Sequence, residues 1–546
     1  MLGSQDFAAG YYQVLTYTGI IIILSIIYQF NQISKYITRT KWPQIPDLPS
    51  RREGKKNEGE QSTTTYLPDT TKIHAEPTVM FHKFTNYTLH VFSVGDMTVG
   101  EILLFVLFIV INLIFLLSPF PADASGGETF SKRCAYLALA NAAFVFPLAT
   151  RNSIFLKLIG VPFERLIRFH RWVGRTIFFL ITFHGSFQIQ QSYEGSESVS
   201  QALVGTPTNQ WGFLAYISLI IIMFTSHSVI RRYAFEVFYW SHFSFIFFII
   251  FGNLHQPEFI QFTAIGMGLY IIDRLARFIF GLGTINVIGI EAIQSGVTKI
   301  IFEFKDYYES GQYMFINLAN LNPPVSLLAW HPISFSSSPS VMDDGVHYAS
   351  IHMKVQGGFS RNLYARSHEG LQYNQVPLKM RVDGPYGKTS LDFMQHNTVV
   401  LVSGGIGITP MISILRDLVD RQVANMPIVT QSIYFLWVIP DTDAYQWFGS
   451  ELRELMSRAG TLPQNKYILD VKVFLTRSTT TPSSIFFQGR PDFSIFFHDI
   501  KRFHGSGDIA VGVCGPAVML KQVRNAAVQS SDETCLFKVH SETFEL

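Results

Sequence analysis

Charge is scarce in this chain. Only 15% of its 546 residues are Asp, Glu, Lys or Arg, while 48% are hydrophobic and the mean hydropathy is +0.22. That balance is too apolar for an ordinary soluble enzyme. Neither sign of charge dominates: the formal net charge is +2, so no strong global field points to nucleic acid or to an acidic partner. Cysteine is scarcer still. Cys134, Cys514 and Cys535 lie far apart and show no metal-ligand spacing, which argues against a disulfide framework and against an iron–sulfur cluster. A basic start and a small-residue cleavage site are also missing from the first residues, so the apolar run 12–30 reads as a retained span rather than a cleaved signal peptide.

Long apolar runs are what the first half does have. A bilayer-spanning helix needs about 20 mostly apolar residues, and seven stretches qualify: 12–30, 102–117, 135–149, 171–189, 211–229, 237–251 and 259–280. After Gly281 short alternating runs, glycine turns and charged loops take over, as in a soluble domain. Basic residues sort by loop. Lys35, Arg39, Lys41, Arg51, Arg52, Lys55 and Lys56 follow the first span, Arg151, Lys157, Arg165 and Arg168 the third, Arg231 and Arg232 the fifth, and Arg274 and Arg277 end the seventh. Apart from Lys132 and Arg133, the alternate loops are poor in positive charge. The positive-inside rule then puts the N-terminus outside and the C-terminal half in the cytosol. The Pro-, Ser-, Thr-, Lys- and Glu-rich stretch 42–76 reads as a disordered cytosolic linker. This topology leaves the sequon Asn86-Tyr87-Thr88 on the side where it is not glycosylated.

Four histidines fall inside these apolar runs. His170 and His184 have 13 residues between them; His242 and His255 have 12. Ionisable side chains in a membrane span are costly and by default functional. Neutral imidazole ligates iron well, so two histidines on each of two helices would clamp two haems stacked across the bilayer. At 1.5 Å per residue, His170 and His184 are separated by about 21 Å along the helix. Topology pairs His170 with His242 near the cytosol and His184 with His255 near the outside. A step of 14 residues returns nearly to the same helix face, whereas the 13-residue step from His242 to His255 misses it by roughly 140°. That pairing therefore requires the end of the helix to distort at Gly252-Asn253, or His255 to sit just past that end. His227 has no partner at suitable spacing and reads as an interfacial hydrogen-bonding residue.

The region from Thr284 to about Lys388 has the alternation of a small antiparallel barrel. It contains His331-Pro332-Ile333-Ser334, Gly357-Gly358-Phe359-Ser360 and Asp383-Gly384-Pro385-Tyr386-Gly387, whose glycines and small hydroxyl residues let backbone approach a planar ring and a pyrophosphate. Beyond it Val399 to Ser403 reads as a buried parallel strand. The turn Gly404-Gly405-Ile406-Gly407 and a helix follow, with Thr409 as N-cap and Pro410 at the first helical position. Such a strand–turn–helix favours a dinucleotide's phosphates. A later strand ends in Cys514-Gly515-Pro516.

From about Gly100 to the C-terminus, this ordered set resembles the ferric reductase superfamily, which includes ferric-chelate reductases and superoxide-producing NADPH oxidases. The resemblance implies an α-helical membrane bundle, an antiparallel β-barrel FAD domain and an α/β nucleotide-binding domain of ferredoxin-reductase type. The expected divisions are a first span over 1–34, a largely disordered linker over 35–99, a haem-binding membrane domain over 100–281, the FAD domain over 282–392 and the NADPH domain over 393–546. His331, Pro332 and Ser334 are implied beside the flavin, with Gly358 and Ser360 near its pyrophosphate. Gly404, Gly405, Gly407, Thr409, Cys514, Gly515 and Pro516 are implied around the nicotinamide cofactor. Gly489-Arg490-Pro491 also matches a loop of that domain. Where relatives often carry an Arg suited to a 2′-phosphate this chain has Pro440, and Arg477 is the candidate for that role. Phe544, followed by Glu545 and Leu546, matches the aromatic residue that covers the flavin near the family's C-terminus.

The implied activity is NADPH-dependent reduction of ferric or cupric chelates through FAD and two b-type haems. NADH remains an alternative donor. No side chain is expected as acid, base or nucleophile, since cofactors carry the chemistry. An NADPH oxidase passing the same electrons to dioxygen is the nearest rival, and a transporter with pathway histidines a distant one. The lipid bilayer is the expected partner, at the plasma membrane or an internal membrane such as the endoplasmic reticulum.

Overall fold

The computed structural model describes residues 5–39, 74–91, 95–117, 126–161, 163–195, 198–304, 306–318, 330–339, 348–368, 372–373, 376–387, 389–426, 428–463, 467–477, 485–504 and 507–543. The chain forms two compact units. One comprises Met1–Arg39 with Leu104–Phe278, the other Thr40–Leu103 with Ile279–Leu546.

In chain order the first half contains α1 (Gln5–Arg39), α2 (Glu76–Asn86), a hairpin of β1 (Thr88–Val91) and β2 (Gly95–Thr98), then α3 (Val99–Leu117) and α4 (Gly126–Val145). These are followed by α5 (Ile154–Ile159), α6 (Phe163–Glu194), α7 (Val199–Val204), α8 (Pro207–Thr225), α9 (Ser228–Tyr233), α10 (Phe235–His242), α11 (Phe245–His255) and α12 (Phe259–Phe280). Five helices among the described residues are long and apolar enough to cross a membrane: Ala8–Ile33, Val99–Leu117, Pro207–Thr225, Phe235–His255 and Phe259–Phe280. The sequence suggested seven. The other two stretches are helical, as α4 and α6, but they are too polar to qualify. α4 carries Glu128, Lys132 and Arg133; α6 carries Arg168, Arg171 and Arg175 in one half and His184, Gln188, Gln190 and Gln191 in the other.

Burial explains how α4 tolerates this. Leu137, Ala138, Ala140 and Ala142 of α4 are almost fully buried among its neighbours, so packing rather than lipid contact decides its composition. Polar side chains bridge the helices: Gln13 of α1 donates to Asn112 of α3 at 2.9 Å, and Asn141 of α4 donates to the same Asn112 oxygen at 2.8 Å. Asp273 of α12 is likewise buried, pairs with Arg277 at 3.1 Å and accepts from the Asn152 backbone at 3.0 Å.

Part of the expected linker over 35–99 forms regular structure. Residues 40–73 and 92–94 lie outside the described residues, but Glu76–Asn86 forms α2 and Thr88–Val91 pairs with Gly95–Thr98, held to the nucleotide-binding domain described below. Asn86 of the sequon spends its amide on the His82 carbonyl at 3.0 Å, and Thr88 is buried.

The second half begins with β3 (Thr284–Ile293), β4 (Val297–Glu303), β5 (Tyr313–Leu318), β6 (His331–Ser334), β7 (Tyr348–Lys354), α13 (Gly358–Ser367), a two-residue pair β8 (Gln372–Tyr373) and β9 (Val376–Pro377), and β10 (Lys379–Tyr386). Six strands form an antiparallel sheet in the order β6-β5-β10-β3-β4-β7. Its two ends meet at a bridge between Phe335 and Ile351, with Ser336 N–H donating to the Ser350 carbonyl at 2.8 Å. Among the described residues this single bridge replaces the full ladder that an unbroken barrel would need.

The last domain contains β11 (Thr398–Gly404), α14 (Ile408–Val423), β12 (Ser432–Ile439), α15 (Thr442–Tyr445), α16 (Gly449–Gly460), β13 (Ile468–Leu475), β14 (Phe486–Gln488), α17 (Phe493–His504), β15 (Ile509–Cys514), α18 (Ala517–Ser530) and β16 (Phe537–Glu542). Its sheet is wholly parallel in the order β14-β13-β12-β11-β15-β16. β11 and β15 are buried along their whole length, as a parallel strand covered on both faces must be. Strand order reverses between β11 and β15, and ligands of such sheets bind beyond the carboxyl ends at that point.

Candidate functional site

The four span histidines come together as two pairs. His170 of α6 faces His242 of α10 with ring centroids 6.1 Å apart, and His184 of α6 faces His255 of α11 at 6.3 Å. The register problem is solved by a break. The helix expected to run continuously from Val237 ends at His242 and restarts at Phe245. Phe243 and Ser244 there make tighter bonds, to the Trp240 and Ser241 carbonyls. This resets the rotation that an unbroken helix would have carried to His255. The distortion lies at the first histidine, not at Gly252-Asn253.

Each imidazole is anchored through Nδ1. His170 donates to the Val145 carbonyl at 2.8 Å, His184 to the Ser131 carbonyl at 3.0 Å and His255 to the Thr208 carbonyl at 2.8 Å, while His242 Nδ1 meets Ser226 Oγ at 3.2 Å. Among the described residues no Nε2 of the four has a hydrogen-bond partner, which is the tautomer and orientation that metal-ligating histidines take. A metal–imidazole bond is about 2.0–2.1 Å and the nitrogen lies about 1.1 Å from the ring centre, so two imidazoles on opposite sides of one metal put their centroids about 6.3 Å apart. Both pairs match that separation. His227 joins neither pair; it caps α9, accepting from the Val229 backbone.

In the antiparallel domain, His331, Pro332 and Ser334 lie on β6, hydrogen-bonded to β5. The His331 ring stacks on Phe359 at 3.7 Å and 18°, a partner the sequence reading missed although it adjoins Gly358. Burial lowers the His331 pKa to about 4, so the ring is neutral near pH 7. Among the described residues, His331 Nε2 and the Oγ of buried Ser334 have no partner in the protein. Two orphaned polar atoms on one short strand suit the polar edge of a planar ligand. Gly358 opens α13, and Ser360 Oγ accepts from the Gln356 and Gly357 backbones at 2.8 and 3.0 Å. The N-terminus of that helix can hold a pyrophosphate.

In the parallel domain, two glycine turns interlock. A Cβ on Gly407 would come within 2.9 Å of the Cys514 carbonyl oxygen, and one on Gly404 within 2.7 Å of Pro516 Cδ. Gly515, at φ +156°, would press a Cβ against Gly404 N at 3.0 Å. Gly404, Gly405, Gly407, Cys514, Gly515 and Pro516 therefore form one cluster at the strand-order reversal. Trp437 Nε1 fixes the turn by donating to the Gly405 carbonyl at 2.9 Å. Burial, with the Glu542 charge adding to it, pushes the Cys514 thiol well above its ordinary range and keeps it protonated. Thr409 is not an N-cap. α14 begins at Ile408, Pro410 is its third residue, and Thr409 Oγ1 donates back to the Ile406 carbonyl at 2.8 Å. The tight turn through Gly407 starts the helix earlier than the Thr-Pro signal suggests.

Arg477 stands exposed just past the carboxyl end of β13, and its backbone N–H donates to the Pro440 carbonyl at 2.8 Å. It thus adjoins the position where the sequence lacks an arginine. Phe544 lies outside the described residues.

Three family models match in succession: a ferric reductase like transmembrane component over 134–253, an FAD-binding domain over 280–390 and a ferric reductase NAD binding domain over 396–528. Ferric reduction oxidase 2 of Arabidopsis thaliana is 31% identical over 297 residues, covering 53% of this chain and 40% of that protein. Ferric reduction oxidase 7, chloroplastic, of the same plant is 28% identical, covering 58% of this chain and 44% of that protein. The match to these relatives thus spans about two fifths of their length. A superoxide-generating NADPH oxidase heavy chain of Dictyostelium discoideum is 25% identical, covering 77% of this chain and 90% of that protein. Among solved structures, the FAD/NAD binding domain of a nitric oxide dioxygenase from Vibrio cholerae aligns at 18% identity and a TM-score of 0.35, over 47% of this chain and 98% of that one, too distant to carry an argument. All three models match in order, so the chain carries the transmembrane, FAD-binding and NAD-binding parts of a ferric reductase-like protein.

Proposed function

We propose that this protein is a transmembrane metalloreductase that takes electrons from cytosolic NADPH through FAD and two b-type haems to ferric or cupric chelates outside the cell. The observation that carries it is the two pairs of facing imidazoles, at 6.1 and 6.3 Å, with every Nδ1 engaged and, among the described residues, every Nε2 left without a hydrogen bond. Bound in these sites, FAD would supply hydride acceptance from a nicotinamide, and haem would supply single-electron transfer. The chain's own residues do the rest. His170 and His242 hold the haem at the cytosolic end, His184 and His255 the one at the outer end. Two histidines at each haem would leave no ligand position for the acceptor, which would then be reduced without binding the iron. His331, Pro332 and Ser334 orient the flavin, with Gly358 and Ser360 at its pyrophosphate. The turn Gly404 to Gly407, with Thr409 behind it, takes the dinucleotide phosphates, and Cys514, Gly515 and Pro516 border the nicotinamide. Arg477 selects the 2′-phosphate.

The metal reading is supported by the ferric reduction oxidases among the relatives. Dioxygen as acceptor is the second reading, supported by the oxidase relative that this chain covers over 90% of its length. Purified protein in nanodiscs decides both points. Under anaerobic conditions NADPH should reduce the haem absorption of the wild type. A rate with ferric or cupric chelate well above that with oxygen supports the metalloreductase; the reverse supports the oxidase. Absence of haem from the purified protein would overturn both.

A further inference from the structure

α2 has two faces of opposite character. One is fixed to the nucleotide-binding domain: Val79 is buried, His82 Nε2 bonds to the Phe537 carbonyl at 3.0 Å, and the segment's ends are pinned by His74 Nε2 on Asp508 at 2.8 Å and by Thr88 N–H on Asn525 at 2.8 Å. The other face carries Pro77, Met80, Phe81 and Phe84, spaced i, i+3, i+4 and i+7 as one helical stripe. Its large side chains stand out into solvent: Met80 is 65% exposed, Phe81 68% and Phe84 57%. A contiguous stripe of this kind on a short helix marks a site of interaction.

The position of the stripe identifies its partner. The hairpin pairs Thr88 with Thr98 and returns the chain at once, so that Val99 N–H donates to the Tyr87 carbonyl at 2.9 Å. A Cβ on Gly100 would lie 3.1 Å from the Thr85 carbonyl oxygen. The C-terminal turn of α2 therefore abuts the first residues of α3, and α3 is a candidate span from Val99 onward. A span's first residues lie at the boundary between headgroups and hydrocarbon, where aromatic side chains concentrate.

We infer that α2 is an interfacial helix that buries Met80, Phe81 and Phe84 in the cytosolic leaflet. Its opposite face grips α18 and β16, so the same eleven residues strap the nucleotide-binding domain to the membrane surface. This goes beyond the proposed activity and does not depend on which acceptor the enzyme reduces. All three native cysteines are buried, which leaves an introduced surface cysteine as the accessible thiol. Met80→Cys and Phe84→Cys are made separately in the full-length protein, spin-labelled, and placed in phosphatidylcholine–phosphatidylserine nanodiscs. Collision rates of the label with oxygen and with a water-soluble nickel chelate are then read. Both positions should show high oxygen and low nickel accessibility, the signature of lipid. High nickel accessibility at both would show a face open to water, and low values for both probes a face covered by protein; either result overturns the assignment. Both substitutions lie at exposed positions, and retained haem absorbance confirms that each variant is folded.

Discussion

Gly212 shows what a single absent side chain contributes. A Cβ there would fall 2.7 Å from His255 Nδ1 and 2.8 Å from its Cε1, closer than packed atoms can approach. Gly212→Ala should displace the imidazole and lose the outer haem while keeping the inner one, so that haem per chain by pyridine haemochrome assay falls by half. His184→Ala should lose the same haem, whereas His227→Ala, which alters only a helix cap, should lose none. The histidines themselves were legible in the sequence because ionisable groups in apolar spans are rare and their spacing repeats. Gly212 was not, since the close approach of α8 and α11 is a fact of packing rather than of local pattern. Arg477 belongs to the same scale. A charged hydrogen bond to a 2′-phosphate is worth about 1.5–3 kcal/mol, so Arg477→Ala should raise the KM for NADPH roughly ten- to a hundredfold and leave NADH nearly unchanged. Equal effects on the two nucleotides would remove Arg477 from that role.

At the scale of elements, the interruption between α10 and α11 sets the facing of His184 and His255. One alanine inserted after Ser244 should turn α11 by about 100° and carry His255 away from His184. The expected result is loss of the outer haem with the inner pair intact, read from the same assay. The sequence showed that a continuous helix fails here but not where it yields, because Phe243 and Ser244 carry no proline or glycine to mark a break. α4 and α6 make a related point: hydropathy alone undervalues helices whose polar residues are satisfied by neighbours, and the composition of such a helix reflects its packing.

An ion pair ties the two C-terminal domains together. Lys299 of β4 donates to Glu451 of α16 at 2.7 Å. Burial alone would raise the Glu451 pKa, but the hydrogen bond and charge of Lys299 outweigh it and hold the carboxyl at about 2. A depressed carboxylate pKa contributes stability above its unfolded value near 4.3, and that contribution is lost as pH falls toward about 2. Glu451→Gln should cost about 1.5–3 kcal/mol at neutral pH and flatten the acid dependence of thermal unfolding between about pH 4.3 and 2. An unchanged acid profile would show that the pair contributes nothing.

For the whole molecule, the order of parts was legible before any coordinates: apolar spans, then an antiparallel domain, then a strand–turn–helix domain with its later Cys-Gly-Pro turn. What was not legible was the use made of the segment before α3. Its composition resembles a linker, and the distant partners Asp508, Asn525 and Phe537 hold its helix and hairpin in place. In the proposed function, electrons cross the bilayer through two stacked histidine-held haems. Protein reconstituted into sealed liposomes, with the nucleotide domains outside and an impermeant ferric chelate trapped within, tests this directly. NADPH added outside should reduce the trapped chelate in the wild type and not in His184→Ala. Reduction confined to chelate on the same side as NADPH would rule out this transmembrane route.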